Sequence, residues 1–138
     1  MAAVLVVDDD AVVATAVAAV VKLLSHEVAT VHSGSAALEF IRSRPVDLVV
    51  LDVCMPGMSG LDVLRSLRAD GTVPGLPVIM FSAFDDARED AMRLGATAFA
   101  IKGDSDGLVD LIMQHAPSGL PGAPPKGVPH AAYPLRPL

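Results

Sequence analysis

Five short apolar runs alternate with five segments of helical length along the first 115 residues, and this alternation restricts the fold more than any other feature. Most runs contain Val, Leu, Ile and Ala without polar alternation, which is typical of parallel strands covered on both faces. The predicted strands are residues 3–7, 27–31, 47–51, 77–81 and 98–101. The predicted helices are residues 11–24, 35–43, 60–69, 86–94 and 106–115. This order predicts an α/β fold: a three-layer, doubly wound (βα)5 domain with a parallel sheet.

Capping signals support these helix boundaries. Asp10 directly precedes the first predicted helix, where its carboxylate can cap the free N–H groups and meet the positive end of the helix dipole. Capping-box spacing, in which an acidic residue follows three positions later, occurs at Ser59 and at Asp86. Gly95 follows the fourth predicted helix, at a position that favours the left-handed conformation.

Composition limits the possible partners and the compartment. The net charge is −6, which would repel the phosphates of a nucleic acid, so we predict no nucleic-acid partner. The single cysteine, Cys54, cannot form an internal disulfide, and the first residues lack the basic region of a secretory signal. We therefore expect a cytoplasmic protein. We also expect no membrane contact, because no predicted helix reaches the roughly 20 apolar residues that span a bilayer.

The composition changes sharply at Pro117. The last 22 residues contain seven of the eleven prolines, which favour neither a strand nor a long helix. We predict a domain over residues 1–116 and an extended or disordered Pro/Gly-rich tail over residues 117–138. The alternative for the tail is a polyproline-type ligand, or a segment that lies back on the domain.

Acidic residues follow two of the predicted strands. Asp8 and Asp9 come after the first strand and Asp52 after the third. In doubly wound sheets, ligands bind beyond the carboxyl ends of the strands. Carboxylates held together raise one another's pKa unless a cation accompanies them, so the cluster predicts a metal or a lysine nearby. An Asp at a strand end is often only a turn or capping residue, and this is the interpretation preferred for Asp10.

Four segments in order resemble the response-regulator receiver domain, the phosphoacceptor module of two-component signalling and phosphorelays. They are "VVDDD", "LDVCMPGMSG", "VIMFSA" and "GATAFAIK", and the resemblance covers residues 3 to about 115. It implies a flavodoxin-like sheet with the strand order 2-1-3-4-5, the order found in chemotaxis receivers. It also implies a signalling domain rather than an enzyme, one that catalyses only its own phosphorylation and dephosphorylation.

The resemblance also implies the acceptor and the metal ligands. Asp52 would accept the phosphoryl group. Asp8, Asp9 and Asp52, together with the backbone carbonyl of Cys54, would hold Mg²⁺. A hard cation of this kind takes one or two carboxylates and a phosphate oxygen, which fits three carboxylates at one site.

Three further residues have roles implied by the same resemblance. Lys102 would stabilise negative charge on the phosphoryl oxygens, and the hydroxyl of Ser82 would meet the phosphoryl group. Ser82 and Phe99 would form the conformational switch. Without the other motifs, Ser82 would be interpreted as a loop serine and Phe99 as a core aromatic residue. Buried lysines are rare, so Lys102 indicates a functional site even without those motifs.

Partner surfaces are also predicted from the resemblance. A histidine kinase or phosphotransfer protein would dock on the first helix and on the loop between the fifth strand and the fifth helix. A downstream protein target would bind the face formed by the fourth helix, the fifth strand and the fifth helix. The fifth helix has no Lys or Arg for the charged pairing common on receiver dimer faces, so Val109 and Met113 are expected to make an apolar contact there instead. The first helix is predicted to bury Val13, Ala16, Val17, Val20, Val21 and Leu24. Its predicted outward face consists of Ala14, Thr15, Ala18, Ala19 and Lys22.

Two departures from the family pattern affect these expectations. Gly103 stands where receivers usually have proline after the strand-5 lysine, which gives the loop more backbone freedom. Cys54 and Phe84 lie two residues after Asp52 and Ser82, and both are poor at positioning a water, so we expect slow self-dephosphorylation. The leading hypothesis is a stand-alone receiver. The alternative is a pseudo-receiver, an interaction module that works without phosphorylation.

Overall fold

The computed structural model describes residues 2–71 and 73–117 of the 138-residue chain. Residues 118–138, which hold all but the first residue of the predicted tail, lie outside the described residues. The strands are β1 (Ala3–Val7), β2 (Glu27–Val31), β3 (Leu48–Asp52), β4 (Val78–Ser82) and β5 (Ala98–Ile101). The helices are α1 (Ala11–Leu23), α2 (Gly34–Ser43), α3 (Gly60–Ala69), α4 (Arg88–Arg93) and α5 (Ser105–His115).

The five strands form one parallel sheet in the order β2-β1-β3-β4-β5. This confirms the predicted α/β fold and its flavodoxin-like strand order. Strands β3 and β4 each lie one residue later than predicted, so that Asp52 and Ser82 are their last paired residues. Both strands are buried along their whole length, which explains their uninterrupted apolar sequences.

Two apolar cores lie on the two faces of the sheet. The first contains Leu5 and Val7 of β1 and packs under α2, α3 and α4. The second contains Val4 and Val6 and packs under α1 and α5. Successive side chains of a strand point to opposite faces, so each apolar strand contributes to both cores. Within residues 2–71 and 73–117, no helix combines the length and hydropathy needed to cross a bilayer.

Most of the predicted helix ends are confirmed. The Asp10 side chain accepts hydrogen bonds from the backbone N–H groups of Val12 and Val13, as expected of a cap. Ser59 forms the predicted capping box at the start of α3. Gly95, with φ of 101°, follows α4 in the left-handed region.

The predicted capping box at Asp86 is wrong. Helix α4 begins at Arg88, and its capping residue, Ala87, offers no side-chain acceptor. The backbone N–H of Arg88 donates to the carbonyl of Asp85, which closes a turn at this point and leaves Asp86 outside the helix.

The predicted orientation of α1 is also wrong in part. Ala14 and Ala18 are buried with Val17 and Val21, whereas Ala16 is exposed. The predicted outward residues Thr15, Ala19 and Lys22 are exposed, as expected. Because nearly every position of α1 is apolar, periodicity alone could not identify the buried face. Small alanine side chains turn towards the sheet, which lets the helix approach it closely.

Candidate phosphoacceptor site

Three carboxylates meet at the carboxyl edge of the sheet. Asp8 and Asp9 follow β1, and Asp52 ends the neighbouring strand β3. One carboxylate oxygen from each residue lies within 4.8 Å of the others, with Asp8 and Asp52 buried and Asp9 exposed. The backbone N–H of Asp10 donates to Asp8 Oδ1 at 2.9 Å and fixes that side chain. The parallel pairing of β1 with β3 therefore assembles the predicted acidic cluster.

Lys102 reaches this cluster from the end of β5. Its Nζ lies 2.9 Å from Asp8 Oδ2 and 3.1 Å from Asp52 Oδ1. Burial lowers the pKa of Lys102, but the hydrogen bonds to the carboxylates of Asp8 and Asp52 outweigh this effect and raise the pKa overall. The ammonium group therefore stays charged between the two buried carboxylates, and it offsets part of their repulsion.

Asp52 has a strongly perturbed environment. Burial raises its pKa to about 6, and the nearby charge of Asp8 acts in the same direction. The Lys102 ammonium and the backbone N–H of Cys54 oppose this rise. The Cys54 N–H donates to Asp52 Oδ1 at 3.3 Å, so that oxygen has both a cationic and a neutral donor. At neutral pH the carboxylate is mostly ionised and is able to act as a nucleophile.

The donor set also fits a hard divalent cation. Asp8 Oδ2 is fully buried, and the Lys102 ammonium lies 2.9 Å from it. Three carboxylates within reach of one another, one of them exposed to solvent, suit Mg²⁺, which keeps several waters and takes few protein ligands.

Ser82 lies at the same edge, at the end of β4. It pairs with Ile101, and its carbonyl accepts a 2.7 Å hydrogen bond from the Lys102 backbone N–H. The residue is only 3% exposed, and its hydroxyl accepts from the backbone N–H of Phe84 at 3.3 Å. The fold therefore brings the predicted Ser82 and Lys102 to the same edge of the sheet as Asp52.

Phe99 lies further back on β5, opposite Met80. It is 7% exposed and belongs to the core under α2, α3 and α4. The guanidinium carbon of Arg88 lies 4.8 Å from the centre of its ring. Arg88 is a residue that sequence reasoning missed. In the sequence Arg88 stands out only as a basic residue at the start of a helix whose next two residues are acidic. That pattern does not predict a contact with an aromatic ring on another strand.

The loop after Asp52 is held very close to that residue. Gly60, the first residue of α3, donates its backbone N–H to the carbonyl of Val53 at 2.8 Å. A β-carbon on Gly60 would lie 2.0 Å from the carbonyl oxygen of Asp52. Only glycine fits at this point, and α3 therefore starts directly against the end of β3. Cys54 is exposed in the same loop.

The fold and this site define a class of α/β signalling domain in which carboxylates and a lysine converge at the end of a parallel sheet. Residues 4–113 match the family model described as the response regulator receiver domain. The chain belongs to this family, whose members act in two-component signalling.

Individual relatives agree with this assignment. The response regulator protein FleR of Pseudomonas aeruginosa is 36% identical over 129 residues, which cover 91% of this chain and 27% of FleR. The probable transcriptional regulatory protein TcrX of Mycobacterium tuberculosis is 45% identical over 95 residues, covering 69% of this chain and 39% of TcrX. The chain thus spans about a quarter to two fifths of the length of these relatives.

Solved structures show the same fold. The response regulator TrrA of Thermotoga maritima, crystallised in complex with Mg²⁺-BeF, has a TM-score of 0.76 and 29% identity. The match covers 83% of this chain and 98% of TrrA. A receiver protein from Pseudomonas putida has a TM-score of 0.76 and 30% identity over 82% of this chain and 96% of its own.

Proposed function

We propose that this receiver domain accepts a phosphoryl group on the Asp52 carboxylate. The observation that carries the proposal is the position of Lys102 Nζ, 2.9 Å from Asp8 and 3.1 Å from Asp52, among three clustered carboxylates. A carboxylate attacks an anionic phosphoryl group only when positive charge compensates the repulsion. The lysine supplies one such charge directly beside the nucleophile.

A magnesium ion would supply the remaining compensation. Asp8, Asp9, Asp52 and the backbone carbonyl of Cys54 are the proposed ligands. When bound, Mg²⁺ neutralises charge shared between the acceptor carboxylate and the phosphoryl oxygens. The crystal structure of TrrA in complex with Mg²⁺-BeF, a magnesium ion together with a beryllium fluoride, supports this assignment.

Residues of the chain itself carry out the transfer and stabilise the transferred group. An Asp52 oxygen bonds to phosphorus while the bond to the donor's leaving atom breaks, which gives an acyl phosphate. Lys102 stabilises charge on the transferred group, and the Ser82 hydroxyl donates to a phosphoryl oxygen after transfer. Ser82 and Phe99 then form the switch that changes partner binding.

The partner surfaces follow the same reasoning. A histidine kinase or phosphotransfer protein is proposed to contact α1 and the loop between β5 and α5, both of which border the site. The exposed side of α1 includes Thr15, Ala19 and Lys22. A downstream protein target is proposed to bind the α4–β5–α5 face, where Met113 is 61% exposed. The cytoplasmic location and the stand-alone arrangement stay predictions.

Intact-mass spectrometry tests the central proposal. The protein is incubated with Mg²⁺ and acetyl phosphate, and we expect a mass increase of one phosphoryl group that is stable in acid and labile in base. Asp52→Asn should abolish the increase, and EDTA should suppress it. Asp10→Asn is the matched control, because Asn caps a helix as well as Asp and the backbone N–H that holds Asp8 is kept. An unmodified wild-type mass would instead favour the pseudo-receiver.

A further inference from the structure

The end of β2 holds the backbone of Asp8 on two sides. The Asp8 N–H donates to the carbonyl of Val31 at 3.2 Å, which continues the parallel pairing of β1 with β2. The Asp8 carbonyl lies 3.0 Å from Nδ1 of His32, the first residue after β2. The peptide group that joins Asp8 to Asp9 is therefore bound to a side chain that follows the neighbouring strand.

This contact determines which ring nitrogen of His32 carries a hydrogen. A backbone carbonyl oxygen only accepts hydrogen bonds, so the ring must donate from Nδ1. Nδ1 carries a hydrogen in the charged imidazolium and in one of the two neutral tautomers. The other neutral tautomer would place a lone pair of Nδ1 against those of the carbonyl oxygen. The Asp8 carbonyl thus selects the form of His32 with the hydrogen on Nδ1.

The Asp9 carboxylate is held differently from the other two carboxylates of the cluster. The Asp10 N–H and the Lys102 ammonium hold the Asp8 carboxylate. Lys102 also holds the Asp52 carboxylate. The exposed carboxylate of Asp9 forms no hydrogen bond or ion pair with any of residues 2–71 and 73–117. Its place in the cluster is therefore set by the backbone that carries it.

We propose that His32 is a positioning residue for Mg²⁺, which fixes the Asp8–Asp9 peptide group and thereby the Asp9 carboxylate. The inference rests on the proposed function, since it concerns the same metal site. The ring is not itself a ligand through Nδ1, because that nitrogen donates to the carbonyl and has no lone pair for a metal. Residues that orient a metal ligand typically change the metal affinity by about 10–100-fold. An exposed contact to the ligand's backbone belongs at or below the lower end of that range.

Mg²⁺ titrations of the full chain without a phosphoryl donor, followed by its amide NMR resonances, test this role. Asparagine places its amide nitrogen where Nδ1 of histidine lies, and glutamine places it where Nε2 lies. His32→Asn should therefore keep the Mg²⁺ affinity within about twofold, whereas His32→Gln should lower it by about fivefold or more. His26→Gln is the matched control, because His26 lies at the opposite end of β2, where its Nδ1 accepts from the Ala2 N–H. Wild-type affinity in His32→Gln, or an equal loss in both His32 variants, would overturn the inference.

Two measurements on the metal-free protein test the contact itself. Nitrogen NMR spectra of the histidine rings should show a hydrogen on Nδ1 of His32. Backbone amide relaxation should show a rigid Asp9 N–H in the wild type and in His32→Asn, and larger fast motion of that N–H in His32→Gln. The Cys54 N–H, which donates to Asp52, should be equally rigid in all three proteins. A bare Nδ1 on His32, or equal motion of the Asp9 N–H in all three proteins, would contradict the proposed contact.

The outcomes separate this inference from the proposed function. If the wild type is phosphorylated in the presence of Mg²⁺ and His32→Gln binds the metal equally tightly, His32 has no positioning role and Asp52 remains the acceptor. If the wild-type resonances do not respond to Mg²⁺, the proposed metal site fails, and the role of His32 towards the metal fails with it. The ring spectra and the relaxation data then still decide whether His32 fixes the Asp8–Asp9 peptide group.

Discussion

The backbone N–H of Lys102 donates a 2.7 Å hydrogen bond to the carbonyl oxygen of Ser82. This bond sets the register of β5 against β4 at the edge where the carboxylates lie. It therefore fixes where the Lys102 ammonium and the Ser82 hydroxyl emerge from the sheet. Both groups are positioned by strand pairing rather than by a flexible loop, which favours a preorganised site.

Replacing Lys102 by methionine should slow phosphorylation while keeping most of the apolar stem. Loss of the ammonium leaves the carboxylates of Asp8 and Asp52 without their cation. A charge-assisted hydrogen bond is worth about 1.5–3 kcal/mol, so the rate with acetyl phosphate should fall about tenfold or more. Time courses by intact-mass spectrometry would measure it. The control is Lys22→Met at an exposed position of α1, and an equal loss there would contradict the assignment.

Neutralising Asp52 should stabilise the metal-free protein. The pKa of Asp52 is raised from 3.8 to about 6, chiefly by burial, so the folded protein binds this proton more tightly than the unfolded chain. The free energy of unfolding therefore decreases as the pH rises from about 4 to about 6. In EDTA at pH 7.5, Asp52→Asn should be more stable than the wild type by about 1–3 kcal/mol.

Urea denaturation at several pH values would test this prediction. The advantage of Asp52→Asn should shrink as the pH falls from about 6 towards 4, because the wild-type carboxyl then becomes neutral as well. If the stability advantage of Asp52→Asn instead grows as the pH falls, folding does not raise the pKa of Asp52. Asp10→Asn should change stability little at pH 7.5, since Asn also caps α1.

The parts of the site that were predictable are those that strand order alone brings together. Asp8, Asp52 and Ser82 all lie at the ends of parallel strands, and parallel strands place their ends at one edge. The buried side of α1 was not predictable, because alanines such as Ala14 and Ala18 give no contrast with their neighbours. The contact of Arg88 with the Phe99 ring joins distant segments and has no local sequence signal. The Asp86 capping box failed because a turn at Asp85 competes with it.

The lifetime of the phosphoryl group should depend on Cys54 and Phe84. Both are exposed beside the site, and neither side chain holds or deprotonates a water well. The double variant Cys54→Asn and Phe84→Glu should increase the acyl-phosphate decay rate by about tenfold. This is less than the roughly 10²–10⁴-fold that a well-positioned acid or base side chain typically contributes. Phe84→Leu is the control, because it is shorter but equally apolar. Unchanged decay in the double variant would refute slow self-dephosphorylation at these positions.

Gly60→Ala should damage both folding and phosphorylation. The new methyl group would lie 2.0 Å from the Asp52 carbonyl oxygen, which is backbone and cannot rotate away. Overpacking of this kind costs about 3 kcal/mol or more, measured as the shift in the free energy of unfolding in urea. Gly71→Ala provides the contrast, because nothing lies within 4 Å of its β-carbon position and its φ is not positive. Equal stability of the two variants would show that α3 does not start against β3.

Gly103→Pro, which would restore the residue that receivers usually have after the lysine, should be harmful in this chain. Gly103 has φ of 97°, whereas proline fixes φ near −65°, so the loop between β5 and α5 would have to take another path. We expect a loss of about 2–3 kcal/mol in urea denaturation. Phosphorylation by acetyl phosphate should also slow, because the Lys102 ammonium loses its position between Asp8 and Asp52. Gly103→Asn is the control, since Asn tolerates positive φ better than other residues and nothing lies within 4 Å of the new β-carbon. Wild-type stability and rate in Gly103→Pro would mean that this loop does not fix the lysine.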